Sequence, residues 1–312
     1  MHSDGVRVTV DDVRELTADD GSPVTAASAV APLGDGWLVT QDDATSVAWV
    51  RPGGVHLLRV LAPVEGHDRF GEAAGTKHLK PDLEVACPAE ADGAPAVLLL
   101  GSGSTPRRMR GVLVSLDAGG RPVVRAGELG PLYERVADQL GVTPDRLNLE
   151  GASRHGERLR WFQRGNVAAG VPSAGVDVPL AELVAAVLGR ADPATVPVTG
   201  AHGYDLGEVS GVGLAVTDAV ALPDGRLLLS AAAEDTPDAV DDGPVVASAL
   251  VLVDGSTVLA VAALPEVGGR VTKVEGLALR SSGDEEAHLL AVVDTDDPTT
   301  PSTLLELRVA LD

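Results

Sequence analysis

The sequence has one cysteine, Cys87, so no intramolecular disulfide can brace the fold, and its apolar surroundings fit a buried, inert thiol. Aromatic residues make up only 2% of the chain, against 45% hydrophobic residues in all. A core must therefore be built from Val, Leu and Ala, and β-branched and Leu side chains pack well on pleated faces. Basic residues are also scarce: 24 Lys and Arg stand against 46 Asp and Glu, a formal net charge of −22. This excludes nucleic acid as a partner, because its binding rests on neutralising phosphates with Lys and Arg. It excludes an anionic membrane surface for the same reason. No apolar run approaches the roughly 20 residues of a membrane span. The first residues, Met1-His2-Ser3-Asp4-Gly5-Val6, lack the basic and apolar regions of a secretory signal. These absences predict a cytoplasmic protein, and the over-use of Ala, Gly, Asp and Val suits a bacterial one with a high-GC genome. The G-x-S-x-G, H-E-x-x-H, complete P-loop and G-x-G-x-x-G motifs are missing too.

What is present is an internal repeat, which has to be recognised before any other reading. An acid after a short apolar lead and before a small-residue apolar run recurs as Asp82-Leu83-Glu84-Val85-Ala86, Asn148-Leu149-Glu150-Gly151-Ala152 and Val274-Glu275-Gly276-Leu277-Ala278. A weaker copy is Val216-Thr217-Asp218-Ala219-Val220, and a degraded one, around Ser28, is Ala26-Ala27-Ser28-Ala29-Val30. The intervals from Ser28 through Glu84, Glu150 and Asp218 to Glu275 are 56, 66, 68 and 57 residues, and closing the circle through the termini takes 65 more. Five near-equal units predict an all-β fold, a single five-bladed β-propeller domain over residues 1–312. Within unit four, strands are expected at 217–221, 226–231, 247–253 and 257–263, with Asp-Gly turns at Asp224-Gly225 and Asp254-Gly255. Unit five, at 274–279, 288–293 and 304–309, is one strand short. Val6–Val10 can supply that strand and so close the ring and remove an exposed edge.

Two segments break the β pattern. Pro131–Leu140 and Pro179–Leu188 open on Pro, show helical spacing of apolar residues, and precede Gly141 and Gly189. They predict two short helices in inter-strand connections. Asp235–Gly243 reads as a mobile, solvated acidic loop.

If the register holds, Glu84, Glu150, Asp218 and Glu275 all face the propeller axis. Carboxylates so close must be paired or metal-bound. Ca²⁺, which takes oxygen ligands, is the divalent cation that suits them best, with Glu84, Glu150, Asp218, Asn166 and Glu275 as the candidate ligands. Interleaved basic residues are the other solution. Lys80 and Lys273 lie just before their acids, and Arg107 and Arg164 follow the second strands of units two and three. The segment Gly101-Ser102-Gly103-Ser104-Thr105-Pro106-Arg107-Arg108 is the most site-like single stretch. Its small residues let a ligand reach the backbone, Ser102 and Ser104 can donate, and Arg grips carboxylate or phosphate bidentately. Repeated acids also serve a plainer purpose, holding blades together through backbone amides or neighbouring cations. His78, His155 and His202 lie nearest this rim and read as surface or satisfied histidines.

The phrases Lys80-Pro81-Asp82-Leu83-Glu84, Gly101–Pro106, Leu147-Asn148-Leu149-Glu150-Gly151, Phe162-Gln163-Arg164-Gly165-Asn166, Ala233-Glu234-Asp235-Thr236-Pro237 and Lys273-Val274-Glu275-Gly276-Leu277 resemble those of an uncharacterised bacterial propeller family of unknown function. More distantly the chain is similar to phytase-like esterase domains and gluconolactonase-type lactonases. That resemblance implies a divalent cation held on the axis by acids and amides. Blade count and Ser28, in place of an acid, depart from the lactonase pattern. Two functional expectations follow. One is a metal-assisted hydrolase or related enzyme acting on a small polar, anionic metabolite, with Glu150 and Glu275 as ligands or general bases and Arg107 and Arg164 holding the anionic group. The other is a non-catalytic propeller that binds a metabolite or docks a protein.

Overall fold

The computed structural model describes residues 5–236, 244–295 and 297–311. The greater part of the expected acidic loop, residues 237–243, lies outside the described residues. Five antiparallel sheets form a propeller. Blade 1 runs Ala27–Leu33, Gly36–Gln41, Ser46–Arg51 and Gly54–Arg59 from the axis outward, and blade 2 runs Leu83–Ala91, Ala94–Gly101, Arg110–Leu116 and Pro122–Glu128. Blade 3 runs Leu149–His155, Arg158–Gln163, Ser173–Pro179 and Thr199–Tyr204. Blade 4 runs Val212–Ala221, Leu227–Glu234, Val245–Asp254 and Thr257–Ala263, with the short strand Glu208–Val209 added beside its inner strand. Blade 5 runs Val274–Ser282, Glu286–Val293 and Thr303–Leu311, and its outer strand is Val6–Glu15 from the N-terminal end. The pairing runs from Val6 opposite Leu311 to Glu15 opposite Thr303, so strands from both ends close the ring.

The core lies between blades rather than at the axis. Val, Leu and Ala fill the interfaces, as the composition requires. The largest cluster joins blades 2 and 3 and includes both helices. Helix α1 (Gly130–Leu140) buries Leu132, Tyr133, Val136 and Ala137 and ends at Gly141, whose φ of 68° is left-handed. Tyr133 meets Trp161 edge-on at 4.8 Å. Helix α2 (Leu180–Val187) follows Pro179 and buries Leu183 and Val187 in the same cluster.

Every inner strand slips register near its start, and this decides which side chains reach the axis. The ladder shifts across Glu84 in blade 2, Glu150 in blade 3, Thr217 in blade 4 and Glu275 in blade 5, and between Ala27 and Val30 in blade 1. These are β-bulges, each of which leaves one residue unpaired and re-aims it. Thr217, and not Asp218, is therefore the equivalent of the three glutamates. The expectation that Asp218 faces the axis beside them is corrected by one residue, and a single slip reverses the face.

The residues at these points tie the ring together. The Thr217 hydroxyl donates to the Val274 carbonyl of blade 5, and the Ser28 hydroxyl donates to the Leu83 carbonyl of blade 2, each at 2.6 Å. Asp218 is 4% exposed. Its carboxylate accepts the Ala152 amide of blade 3 at 3.1 Å and the Leu277 amide of blade 5 at 2.7 Å. It thus clasps both neighbouring blades. A Cβ on Gly151 would lie 2.5 Å from Asp218 Cα, and one on Gly276 would lie 2.5 Å from Ala29 Cα. Glycine after the acid is what lets these strands close.

Burial pushes the Asp218 carboxyl up from 3.8 to about 8, against the pull of the amides it accepts. The folded chain thus holds this proton where the unfolded chain has lost it, so its share of stability falls as pH rises through that window. In urea denaturation, the midpoint of the wild type should fall as pH rises across the window, and that of Asp218→Asn should fall less. Asp218→Ala leaves two buried amides unpaired and should cost about 2–4 kcal/mol. An unchanged midpoint in Asp218→Ala would show that the clasp contributes nothing.

Candidate functional site

A cavity of about 110 Å³ opens on the axis, walled by the bulge residues Ser28, Glu84, Glu150 and Glu275 and by charged side chains from the segments around them. Acids and bases alternate around it in two networks. In the first, Lys80 Nζ stands 2.7 Å from both Asp42 Oδ2 and Asp82 Oδ1, and Arg108 Nη1 is 2.8 Å from Asp82 Oδ2. The Ser102 hydroxyl donates to Asp82. Ser104 bonds the Ser102 hydroxyl at 2.8 Å and accepts from Arg108 at 2.7 Å. Asp82 has a φ of 57°, a left-handed conformation unusual for a residue with a side chain. Two cations and a hydroxyl on its carboxylate hold it there.

In the second network, Arg164 reaches Glu150 Oε1 at 2.8 Å and Glu234 Oε2 at 2.5 Å. Lys273 Nζ reaches Glu234 Oε1 at 2.9 Å and Glu275 Oε1 at 2.8 Å. Asn148 Nδ2 donates to Glu150 Oε1 at 2.8 Å. Glu234, from the second strand of blade 4, is buried behind the cavity wall with 5% of its side chain exposed, and it links both cations.

Glu84 differs from the other two glutamates. Among the described residues no hydrogen-bond donor or cation contacts its carboxyl group, although the field of Lys80 reaches it. Burial, and then the charges of Asp82 and Asp42, raise its carboxyl well above the usual range. Burial also raises Glu150, against the pull of Arg164 and Lys273, and pushes Glu275 up to about 8 against Lys273. Burial opposes the charge on Lys80, but Asp42, Asp82 and Glu84 outweigh it and hold the ammonium protonated. Oxygens of Asp42, Asp82 and Glu84 lie within 4.8 Å of one another, so this trio could hold a metal ion, although Lys80 already stands between two of them.

Of the residues singled out in the sequence, Glu84, Glu150, Glu275, Lys80, Arg164 and Lys273 line this one cavity. Ser102 and Ser104 support it from behind. Arg107 does not enter it. Pro106–Arg108 forms one turn of 3₁₀ helix, which sends Arg107 out, 53% exposed and 3.3 Å from Glu65, and Arg108 in. Asn166 shapes the neighbouring loop instead, donating to the Thr236 carbonyl and accepting the Ala169 amide. Asp218 is the inter-blade clasp. No histidine lines the cavity among the described residues, and His202 bonds Asp177 on blade 3. Asp82, Asn148 and Glu234 were not foreseen as site residues, whereas Arg108 belongs to the segment that the sequence singles out. Asp42 and Asp294 sit directly after second strands, the position at which the sequence places the rim, and both line the cavity.

No helix among the described residues is long and apolar enough to cross a membrane. No curated protein is similar to the chain in sequence. The fold is similar to glutaminyl cyclase of Myxococcus xanthus, with 10% identity, a TM-score of 0.50, and 98% of this chain and 97% of that one covered. It is also similar to a mannose phosphorylase of Leishmania mexicana in complex with phosphate, with 14% identity, a TM-score of 0.47 and coverages of 97% and 89%. A protein assigned as a gluconolactonase is similar at 12% identity, a TM-score of 0.37 and coverages of 96% and 75%. At these identities the likeness concerns the fold alone. The five-bladed architecture and the motif phrases agree with a match over residues 76–298, and the chain belongs to the family of unknown function DUF6910.

Proposed function

We propose that the axial cavity binds a small polar metabolite and carries out proton-transfer chemistry on it, with Glu84 as the acid. The observation that carries this reading is Glu84 itself. Among the described residues it has no donor or cation in contact, although it lies on the cavity wall beside neighbours that each have one. Pairs of carboxyl groups in unlike surroundings divide into acid and base. In a hydrolysis, Glu84 gives its proton to the departing oxygen of the substrate. Glu150, which burial raises while Arg164 and Asn148 contact the carboxylate directly, takes a proton from the attacking water. The exposed large hydrophobics Val13, Leu57, Val167, Val246, Leu259 and Val271 come from four blades and their connections, which favours a small ligand over a docked protein.

The direct test is turnover of lactones, simple esters, phosphate esters and glycosides by the wild type and by Glu84→Gln. The expected result is activity on one of these classes that falls by about 10²–10⁴-fold in Glu84→Gln while substrate binding persists. Activity that survives the substitution intact, or the absence of turnover in every class, would overturn the reading.

A second reading is favoured by the Asp42–Asp82–Glu84 trio. Ca²⁺ suits an all-oxygen set, with water completing its coordination and the cation polarising a substrate oxygen. Lys80 competes for the same oxygens. On this reading Ca²⁺ raises the melting temperature of the wild type, raises that of Lys80→Met further, and leaves Glu84→Gln unmoved. Equal melting temperatures with and without Ca²⁺ in the wild type and Lys80→Met would dismiss it.

Arg164→Ala separates structure from binding at this site. It leaves the buried carboxylates of Glu150 and Glu234 without their shared cation and should cost about 3–5 kcal/mol in urea denaturation. A loss below about 1 kcal/mol would mean that the guanidinium is held for a ligand instead.

A further inference from the structure

The cations of the cavity are already in use. Lys80 contacts Asp42 and Asp82, and Arg108 contacts Asp82. Arg164 contacts Glu150 and Glu234, and Lys273 contacts Glu234 and Glu275. Lys77, at the mouth, pairs outward with Glu72 at 2.9 Å. Six carboxyl groups line the cavity, those of Asp42, Asp82, Glu84, Glu150, Glu275 and Asp294, and Glu234 behind the wall draws on two of the same five cations. Asp294 accepts the Ala26 amide and the Ser302 hydroxyl, so among the described residues Glu84 is the carboxyl left over. An entering carboxylate or phosphate would have to break an existing pair and would add to the negative excess, and both are costly in a partly buried site.

Resting only on the reading that this cavity is the ligand site, and in place of the acid role for Glu84, we infer that its ligand is a small organic amine whose ammonium group pairs with ionised Glu84. This departs from the anionic metabolite that Arg107 and Arg164 suggested in the sequence. Arg107 lies outside the cavity, and Arg164 is committed to two carboxylates. An ammonium brings three N–H donors and relieves the charge excess. Asn148 gives its Nδ2 to Glu150, which leaves its carbonyl oxygen as a second acceptor in the wall. A divalent ion fits the opening less well than an ammonium. The Lys80 ammonium stands between Asp42 and Asp82, so of this trio only Glu84 is without a cation, while Ca²⁺ seeks about six to eight oxygens.

Three molecules of nearly equal shape test the inference: ethanolamine, ethylene glycol and glycolate, which are cationic, neutral and anionic. Their binding to the full chain can be followed by amide chemical shifts of Gly151, Gly276 and their neighbours. The expected result is that ethanolamine binds at least about tenfold more tightly than ethylene glycol, that glycolate leaves these amides unmoved, and that Glu84→Gln erases the ethanolamine advantage. A urea midpoint of Glu84→Gln no lower than that of the wild type rules out a folding defect as the cause. If ethylene glycol or glycolate binds as well as ethanolamine, or the advantage survives Glu84→Gln, the amine inference falls while the cavity stands as a binding site. If Ca²⁺ binds and excludes ethanolamine, the charge belongs to a metal and the inference falls. If none of the three moves a cavity amide, the inference and the binding-site reading fall together.

Discussion

Five inner strands must run side by side around one axis, with nothing between them to keep them apart. That close approach is the constraint on which the rest of the molecule depends. It is met by a bulge at the same point of each inner strand and, in blades 3 and 5, by a glycine directly after the bulged residue. The bulge turns one side chain toward the axis and returns the next to the space between blades. Hydroxyls at this point in blades 1 and 4 bond the backbone of the following blade. Carboxyl groups at the same point in blades 2, 3 and 5 become the cavity wall. The closure of the ring and the chemistry of its mouth therefore come from the same few residues.

Three glutamates brought to one axis would repel one another strongly, and the chain answers with cations from other strands and loops. Glu234 organises half of that answer. It joins Arg164 to Lys273, and through them it fixes Glu150 and Glu275. Asp82 organises the other half by holding Lys80 and Arg108. Networks of this kind are stable only when each member is satisfied. Glu84 is the member that neither half satisfies, and it lies where the two halves meet the cavity.

Blade number and ring closure were legible because they depend on spacing, which a linear sequence records directly. Five intervals and a final unit one strand short were enough to place Val6–Val10 against the last blade. The helices were legible from Pro131, Gly141 and Gly189, whose backbone preferences are local. The site was legible only in part. Thr217 and Asp218 are adjacent, and no local signal says which of them occupies the bulge; tertiary closure decides it. Arg107 and Arg108 are adjacent as well, and a single 3₁₀ turn selects between them. The partners of Glu234 and Asp42 could not be read from spacing alone. They lie on other blades, 70 residues away for Glu234 and Arg164 and 38 for Asp42 and Lys80.

Asp218 and Glu84 show how acids of one repeat divide between structure and chemistry. Asp218 has two amides on its oxygens, and it is not among the residues that line the axial cavity. Everything about it is accounted for by holding blades 3, 4 and 5 together. Glu84 stands at the bulge itself, one position earlier in the repeat. Its oxygens face open space, and its neighbours are acids as well as Lys80. A buried polar group that is fully satisfied needs no further explanation. A carboxyl group kept without a partner on a cavity wall raises the energy of the folded chain, and a fold built only for stability would have placed a Ser or Thr there, as blades 1 and 4 do with Ser28 and Thr217. The departure from that solution in blade 2 is the strongest physical reason to place the chemistry of this protein at Glu84.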